Sequence, residues 1–139
     1  MTHILIAVGF FVVAAFIVLS LLNNPIRKPA PNALCRLELM DIKDALEGYV
    51  NRYEGYPTGT QSQIVKTLCG NNPHRYEFLD THILKFNSLE ECLDPWGTPL
   101  AINFSSTSSF VISSAGQDKR WGTKDDIVFN SVSNNFVKP

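Results

Sequence analysis

An uninterrupted apolar run near the amino end constrains this chain more than any other feature. Residues 4–22 contain no ionisable side chain. At about 1.5 Å rise per residue, nineteen helical residues reach about 28 Å, close to the roughly 30 Å of a bilayer hydrocarbon core. A cleaved secretory signal would have a basic start and a shorter apolar core. The run therefore predicts a single transmembrane anchor over residues 1–24.

Three prolines separate this anchor from the rest of the chain. They lie within residues 25–31, which are predicted to form a linker before one globular domain over residues 32–139. Beyond the linker, apolar residues recur at spacings of three and four, which predicts a helix from an Asn32 N-cap to Gly55. Its apolar stripe comprises Cys35, Leu39, Ile42, Leu46, Tyr49 and Tyr53. Its polar face comprises Arg36, Glu38, Lys43, Asp44, Glu47 and Arg52.

The second half of the chain is predicted to form a small sheet. Residues 99–104, 110–114 and 127–131 favour strands, and residues 105–109 have the composition of a turn. Residues 56–93 give weaker signals, with one short helix near 61–68 in otherwise irregular structure. One long helix followed by antiparallel strands is an α+β layout, in which the helix lies across the sheet.

Composition and motifs exclude several classes of function. The net charge is -1, with 12 basic and 13 acidic residues, so no nucleic-acid-binding patch is indicated. The sequence contains no nucleophile elbow, phosphate-binding loop or metalloprotease helix. We therefore expect no enzymatic activity, no small-molecule substrate and no nucleic-acid partner.

Three motifs of the domain resemble those of one protein family. Residues 41–49 lead through a helix to Gly-Tyr-Pro-Thr at 55–58, and residues 94–99 read Asp-Pro-Trp-Gly-Thr-Pro. Residues 114–127 read Ser-Ala-Gly-Gln-Asp-Lys-Arg-Trp-Gly-Thr-Lys-Asp-Asp-Ile. In order and spacing, the three motifs resemble the major pseudopilin of type II secretion systems, within the type IV pilin-like superfamily, over about residues 35–130.

The resemblance implies a calcium site in the third motif. It assigns the metal to Asp118, Asp125 and Asp126, with backbone carbonyls of the loop completing the shell. Lys119 stands where the family has a glycine, so a positive φ at this position would strain the lysine. Without the resemblance, the aspartates would be interpreted as a solvated turn in which Asp125 or Asp126 caps a backbone amide.

The resemblance also implies a structural subunit of a pseudopilus or related filament, which associates with the membrane and with itself or other pseudopilin-like subunits. The amino end departs from the family. Gly9-Phe10 imitates a pilin processing site, but no Lys or Arg precedes it and Ala14 stands where the family has a glutamate. The alternative is therefore a non-polymerising, membrane-tethered, calcium-binding interaction module.

The expected state of the three cysteines depends on whether the domain lies outside the cytoplasm, where a disulfide can persist. Cys69 and Cys92 are predicted to form a disulfide, whose 24-residue loop is worth about 3 kcal/mol in the chain-entropy model. Cys35 is predicted to be a buried thiol. A zinc site that uses Cys69, His74 and Cys92 is the alternative.

Two arguments about topology disagree. Arg27 and Lys28 follow the anchor, and the positive-inside rule places that side in the cytoplasm. A calcium loop and a disulfide instead favour an oxidising, calcium-rich compartment. Because so short a basic cluster can be overridden, we predict a single-pass inner-membrane protein with its domain in the periplasm.

Overall fold

The computed structural model describes residues 29–82, 84–106 and 108–137. The predicted anchor over residues 1–24 and most of the predicted linker lie outside these ranges. Within the described part of the chain, no helix combines the length and apolar character needed to cross a membrane.

The long helix, α1, spans Pro31–Tyr53. The prediction of an Asn32 N-cap is wrong, because the N-cap is Ala30 and Pro31 occupies the first turn. Proline is suited to this position, since its missing N–H would have no partner inside the helix and its φ is already helical. The helix ends one residue before the predicted Gly55, at a left-handed Glu54 whose N–H donates to the Val50 carbonyl.

The predicted apolar stripe of α1 is confirmed in its first half. Cys35, Leu39, Ile42 and Leu46 have no exposed surface, whereas Tyr49 and Tyr53 are half-buried. The placement of Glu38 on the polar face is wrong, because its side chain is only 4% exposed. Glu38 lies one turn before the buried Ile42, so the face that packs on the domain is wider than the stripe of apolar residues.

A four-stranded antiparallel sheet lies against α1 in the order β3-β4-β5-β6. Its strands are β3 (Ala101–Ser106), β4 (Ser109–Ser114), β5 (Ile127–Asn130) and β6 (Asn135–Val137). Alternate residues of β4 and β5 enter the core, led by Phe110, Ile112 and Phe129. The α+β prediction is confirmed, and β6 extends a sheet that was predicted with three strands.

The segment before the sheet is more regular than predicted. Helix α2 spans Gln61–Leu68, as expected, and begins with a capping box between Thr60 and Gln63. The Gln61 side chain bonds both backbone groups of Ile102, at 2.8 and 2.9 Å, which ties α2 to β3. Two short strands, β1 (Lys85–Phe86) and β2 (Cys92–Leu93), form a separate antiparallel pair that was not predicted.

Two contacts set the direction of β4 relative to α1. Tyr56, just beyond the end of α1, stacks on Phe104 and meets Phe110 edge-on at a ring separation of 5.6 Å. At the other end of β4, Ser114 lies beside the thiol of Cys35, in the second turn of α1. The loop after β4 is therefore at the amino-terminal end of α1.

Candidate functional site

The third motif forms the loop over residues 115–126 that joins β4 to β5. Ala115 and Gly116 are buried at its base, and residues 117–122 are exposed. Of the predicted metal ligands, Asp118 is exposed, while Asp125 and Asp126 are half-buried. All three belong to this one loop, as expected.

Asp125 links the two ends of the loop. Its Oδ2 accepts the Asp118 N–H at 2.9 Å, and its Oδ1 accepts the Thr123 hydroxyl at 2.5 Å. The Thr123 hydroxyl, followed by the Asp118 N–H, lowers the pKa of Asp125 below its ordinary value, because both donors favour the ionised carboxylate. Asp125 therefore stabilises the loop without any added ion.

The other two aspartates also bind backbone amides. Asp126 Oδ2 accepts the Gly122 N–H at 2.8 Å, and Asp118 Oδ1 accepts the Arg120 N–H at 2.8 Å. Both Asp125 and Asp126 thus make the amide-capping contacts that the metal-free interpretation of the sequence expects.

Backbone geometry restricts two positions of the loop. Gly116 has φ +67, and a Cβ there would come within 2.7 Å of the Asp125 carbonyl carbon, so no side chain fits. Lys119 adopts φ 59, which is left-handed. Strain at Lys119 is expected if its φ is positive, and the φ is positive. The lysine is therefore strained at a position where the resembled family has a glycine.

The types of donor atom in the loop favour calcium binding, whereas the arrangement of the three carboxylates does not. Carboxylate, hydroxyl and carbonyl oxygens are the ligands that calcium prefers, and the loop offers all three kinds. Among the described residues, however, no group of three or more His, Cys, Asp or Glu side chains is arranged to hold a metal ion. The donor set fits calcium, whereas the three carboxylates do not form one cluster.

Asp94 connects the second motif to the third. This side chain is completely buried; its Oδ1 accepts the N–H groups of Trp96 and Thr98, and its Oδ2 accepts the Ser114 hydroxyl at 2.6 Å. The Ser114 oxygen in turn accepts the Gly116 N–H at 3.0 Å. A chain of hydrogen bonds thus runs from the Asp-Pro-Trp-Gly turn to the base of the aspartate loop.

Sequence reasoning missed Asp94 as a structural residue of this site. The available signal was an aspartate before proline and glycine, a composition typical of side-chain-capped turns. Its hydrogen bond to Ser114, twenty positions away, left no local signal.

The three cysteines are free thiols in the structure. Cys35 is buried as predicted; burial raises its pKa to about 11, although a hydrogen bond with Ser114 acts in the opposite direction. Burial also raises the pKa of Cys92 to about 12, and Cys69 is among the nearby groups that add to this shift. Pairing of Cys69 with Cys92 stays a prediction. The described residues contain no zinc-type cluster at Cys69, His74 and Cys92.

Comparison with known families identifies most of the domain. A protein-family model described as "Type II secretion system (T2SS), protein G" matches residues 27–130. No curated protein and no solved structure matches the chain significantly. The matched range contains α1, the Asp94 turn, the aspartate loop and β5.

Proposed function

Because the chain belongs to the family of type II secretion system protein G, we propose that it is a pseudopilin, a structural subunit of a secretion filament rather than an enzyme. The extent of the match, over residues 27–130, is the observation that carries this proposal. All three motifs that suggest the family lie within that range. Two of them are joined by buried hydrogen bonds through Asp94 and Ser114.

The proposed subunit is anchored in the inner membrane by residues 1–24 and holds its domain in the periplasm. Helix packing among the apolar segments of neighbouring subunits would contribute to assembly, since association inside a bilayer depends on van der Waals packing. A reporter that is active only outside the cytoplasm, fused after Pro139, should be active. Activity of a cytoplasmic reporter at the same point would contradict this topology.

We also propose that calcium stabilises the aspartate loop through Asp118, Asp125 and Asp126 together with loop carbonyls. Support comes from the oxygen-only donor set and from the contacts that hold the aspartates in one loop: Asp125 accepts the Asp118 N–H, and Asp118 accepts the Arg120 N–H. A bound divalent cation would also reduce repulsion among three carboxylates in one loop.

Calcium binding is tested by the thermal stability of the full-length chain in detergent. If calcium binds only the folded state, the melting temperature should rise with calcium concentration, and the stabilisation should be about 2.7 kcal/mol at a hundredfold excess over Kd. Asp125→Asn should remove most of the rise. Asp80→Asn, at an exposed aspartate that bonds His82, is the matched control and should keep it. Identical melting curves with calcium and with chelator would refute the calcium proposal.

The alternative is a membrane-tethered module that does not polymerise. Ala14 favours it, because the family's glutamate is missing at that place. Two measurements on the full-length chain separate the alternatives. A mature amino terminus at Phe10 and co-purification of two differently tagged copies from membranes support the filament subunit. An intact Met1 without co-purification supports the tethered module.

A further inference from the structure

A cavity lies between α2 and the short strand pair of β1 and β2. Its volume is about 320 Å³. Among the described residues, its lining consists of Val65, Lys66, Cys69, Thr81, Phe86 and Glu90. It is called the thiol cavity below. Lys66 on α2 and Glu90, in the turn between β1 and β2, form an ion pair that joins its two walls. Because these are the two charged residues of the lining, the thiol cavity has no net charge and suits a small neutral molecule.

Cys69 places a thiol in the wall of this cavity. It is the C-cap of α2 and is half-buried. The other two thiols of the chain are less accessible, since Cys92 is only 4% exposed and Cys35 has no exposed surface. A thiol reacts with an external molecule only where that molecule can reach its sulfur. In the folded domain, Cys69 is therefore the thiol that a molecule in the cavity can reach.

Cys92 lies behind the opposite wall of the cavity. It pairs with Phe86 in the antiparallel register of β1 and β2. Directly opposite residues of such a pair place their side chains on the same face, and Phe86 lines the cavity. Cys69 is also among the nearby groups that raise the pKa of Cys92, which shows that the two thiols are neighbours. Cys92 is thus close to Cys69 but shielded from the cavity.

We propose that the thiol cavity admits a small neutral disulfide, that Cys69 reacts with it first, and that Cys92 then completes an internal Cys69–Cys92 disulfide. In the first step, the Cys69 thiolate attacks one sulfur of the small disulfide, which forms a mixed disulfide and releases one small thiolate. In the second step, the Cys92 thiolate attacks the Cys69 sulfur and releases the other small thiolate. Two electrons pass from the cysteines to the small disulfide, and the two thiol protons end on the released small thiols.

The positions of the two thiols set this order, since neither thiol is unusually acidic. The thiolate is the attacking species. Burial, followed by the charges of Glu77 and Asp80, raises the pKa of Cys69, so the first step depends on access through the cavity. Burial raises the pKa of Cys92 to about 12, which leaves little thiolate for an external reaction. Its attack on the neighbouring Cys69 sulfur is intramolecular, and this proximity compensates for the low thiolate fraction.

The test uses the full-length chain in detergent, reduced and then freed of reductant, with hydroxyethyl disulfide as the small neutral probe. Peptide mass spectrometry locates each adduct. Cys92→Ser should accumulate a mixed disulfide at Cys69. Cys69→Ser should form an adduct at Cys92 at least about tenfold more slowly, because a buried thiol is inert. In the wild type, the Cys69–Cys92 disulfide should form without a lasting adduct.

Two controls test the route by which the probe reaches the thiol. Cys35 is an internal reference for unfolding, since it has no exposed surface and should stay unmodified while the domain is folded. Thr81→Trp, at an exposed residue of the lining, should fill the cavity and slow adduct formation at Cys69 about tenfold, measured in the Cys92→Ser background. Thr58→Trp, at an exposed threonine outside the cavity, is the matched variant and should leave the rate unchanged.

Each of four results would contradict the proposed order or route. Equal rates at Cys35, Cys69 and Cys92 would mean that the probe reacts only after unfolding. A faster reaction at Cys92 than at Cys69 would reverse the order of the two steps. A lasting adduct on Cys69 of the wild type would show that Cys92 does not displace the small thiol. An unchanged rate in Thr81→Trp would exclude the cavity as the route.

Discussion

The Asp94 side chain links the Asp-Pro-Trp-Gly turn to the base of the aspartate loop by hydrogen bonds. It has no exposed surface and accepts hydrogen bonds from two backbone amides and the Ser114 hydroxyl. A buried carboxylate is stable in such a position because each of its oxygens has a donor.

We predict that Asp94→Ala lowers the free energy of unfolding by about 3 kcal/mol, because it leaves three buried or half-buried donors without their acceptor. Ser114→Ala removes one of these hydrogen bonds and should cost about 1 kcal/mol. Denaturant unfolding of the full-length chain measures both effects. Asp44→Ala, at an exposed aspartate, is the control, and an equal loss for Asp44→Ala and Asp94→Ala would contradict the role of Asp94.

Glu38 is a second buried carboxyl group, but its environment does not complete its hydrogen bonds. Within the described residues, its Oε2 has no hydrogen-bond partner. Burial raises the pKa of Glu38 to about 7; Lys85 acts to lower it, and the charges of Asp94 and Asp41 raise it further. The folded domain therefore favours the protonated form of this side chain.

A pH-dependent stability follows from this shift. The contribution of Glu38 to the free energy of unfolding is fully present below pH 4.5, its ordinary pKa. This contribution is lost as pH rises through about 7. Across this pH range the free energy of unfolding falls by about 3 kcal/mol, at about 1.4 kcal/mol per pKa unit. Relative to the wild type, Glu38→Gln should therefore gain stability between these pH values.

Unfolding measured at a series of pH values tests the Glu38 prediction. Glu38→Met, an apolar replacement of similar size, should show the same gain as Glu38→Gln, and the exposed Glu54→Gln should keep the wild-type profile. Parallel profiles for the wild type and both Glu38 variants would show that this carboxyl group does not titrate with folding.

At the scale of elements, the aspartate loop depends on backbone conformation as much as on charge. Gly116 and Gly122 both have positive φ, yet an added side chain would meet different surroundings. A Cβ at Gly116 would clash with the Asp125 backbone, whereas a Cβ at Gly122 would have no atom within 4 Å among the described residues beyond its chain neighbours. The two glycines therefore separate the cost of an unfavourable φ from the cost of a steric clash.

We predict that Gly122→Ala costs about 1 kcal/mol, the usual penalty of a left-handed alanine. Gly116→Ala should cost about 3 kcal/mol, since its methyl group must also displace Asp125, which holds the Asp118 amide. Melting temperatures of the two variants test this order. Equal losses would mean that the loop relaxes around the added methyl group.

At the scale of the whole molecule, a disulfide between Cys69 and Cys92 would join the end of α2 to β2. Cys69 is the C-cap of α2, and Cys92 begins β2. In the chain-entropy model, closing this loop restricts the unfolded chain and stabilises the fold by about 3 kcal/mol.

For protein recovered from a periplasm, we predict one free thiol, Cys35, after denaturation without reductant. Cys69→Ser and Cys92→Ser should each expose one additional thiol, whereas Cys35→Ser should leave none. Three labelled thiols in the wild type would disprove the disulfide and remove one argument for the periplasmic placement.

The sequence by itself determined the features that depend on local pattern. The spacing of Cys35, Leu39, Ile42 and Leu46 identified the buried side of α1, because a helix repeats its faces every 3.6 residues. Strand composition located β3 to β5 to within two residues at each end, although β3 continues to Ser106, into the predicted turn. The three motifs identified the family before any contact was known. Strand β6 was missed because Asn-Phe-Val is short and its pairing with β5 is not encoded locally.

Only the tertiary structure decided which polar groups are buried and which of them meet. Glu38 is enclosed because the domain covers more of α1 than its apolar residues indicate, and Asp94 and Ser114 meet because β4 returns to the amino-terminal end of the helix. The burial of these side chains and their hydrogen bonds result from contacts between distant parts of the chain. Neither periodicity nor composition specifies those contacts.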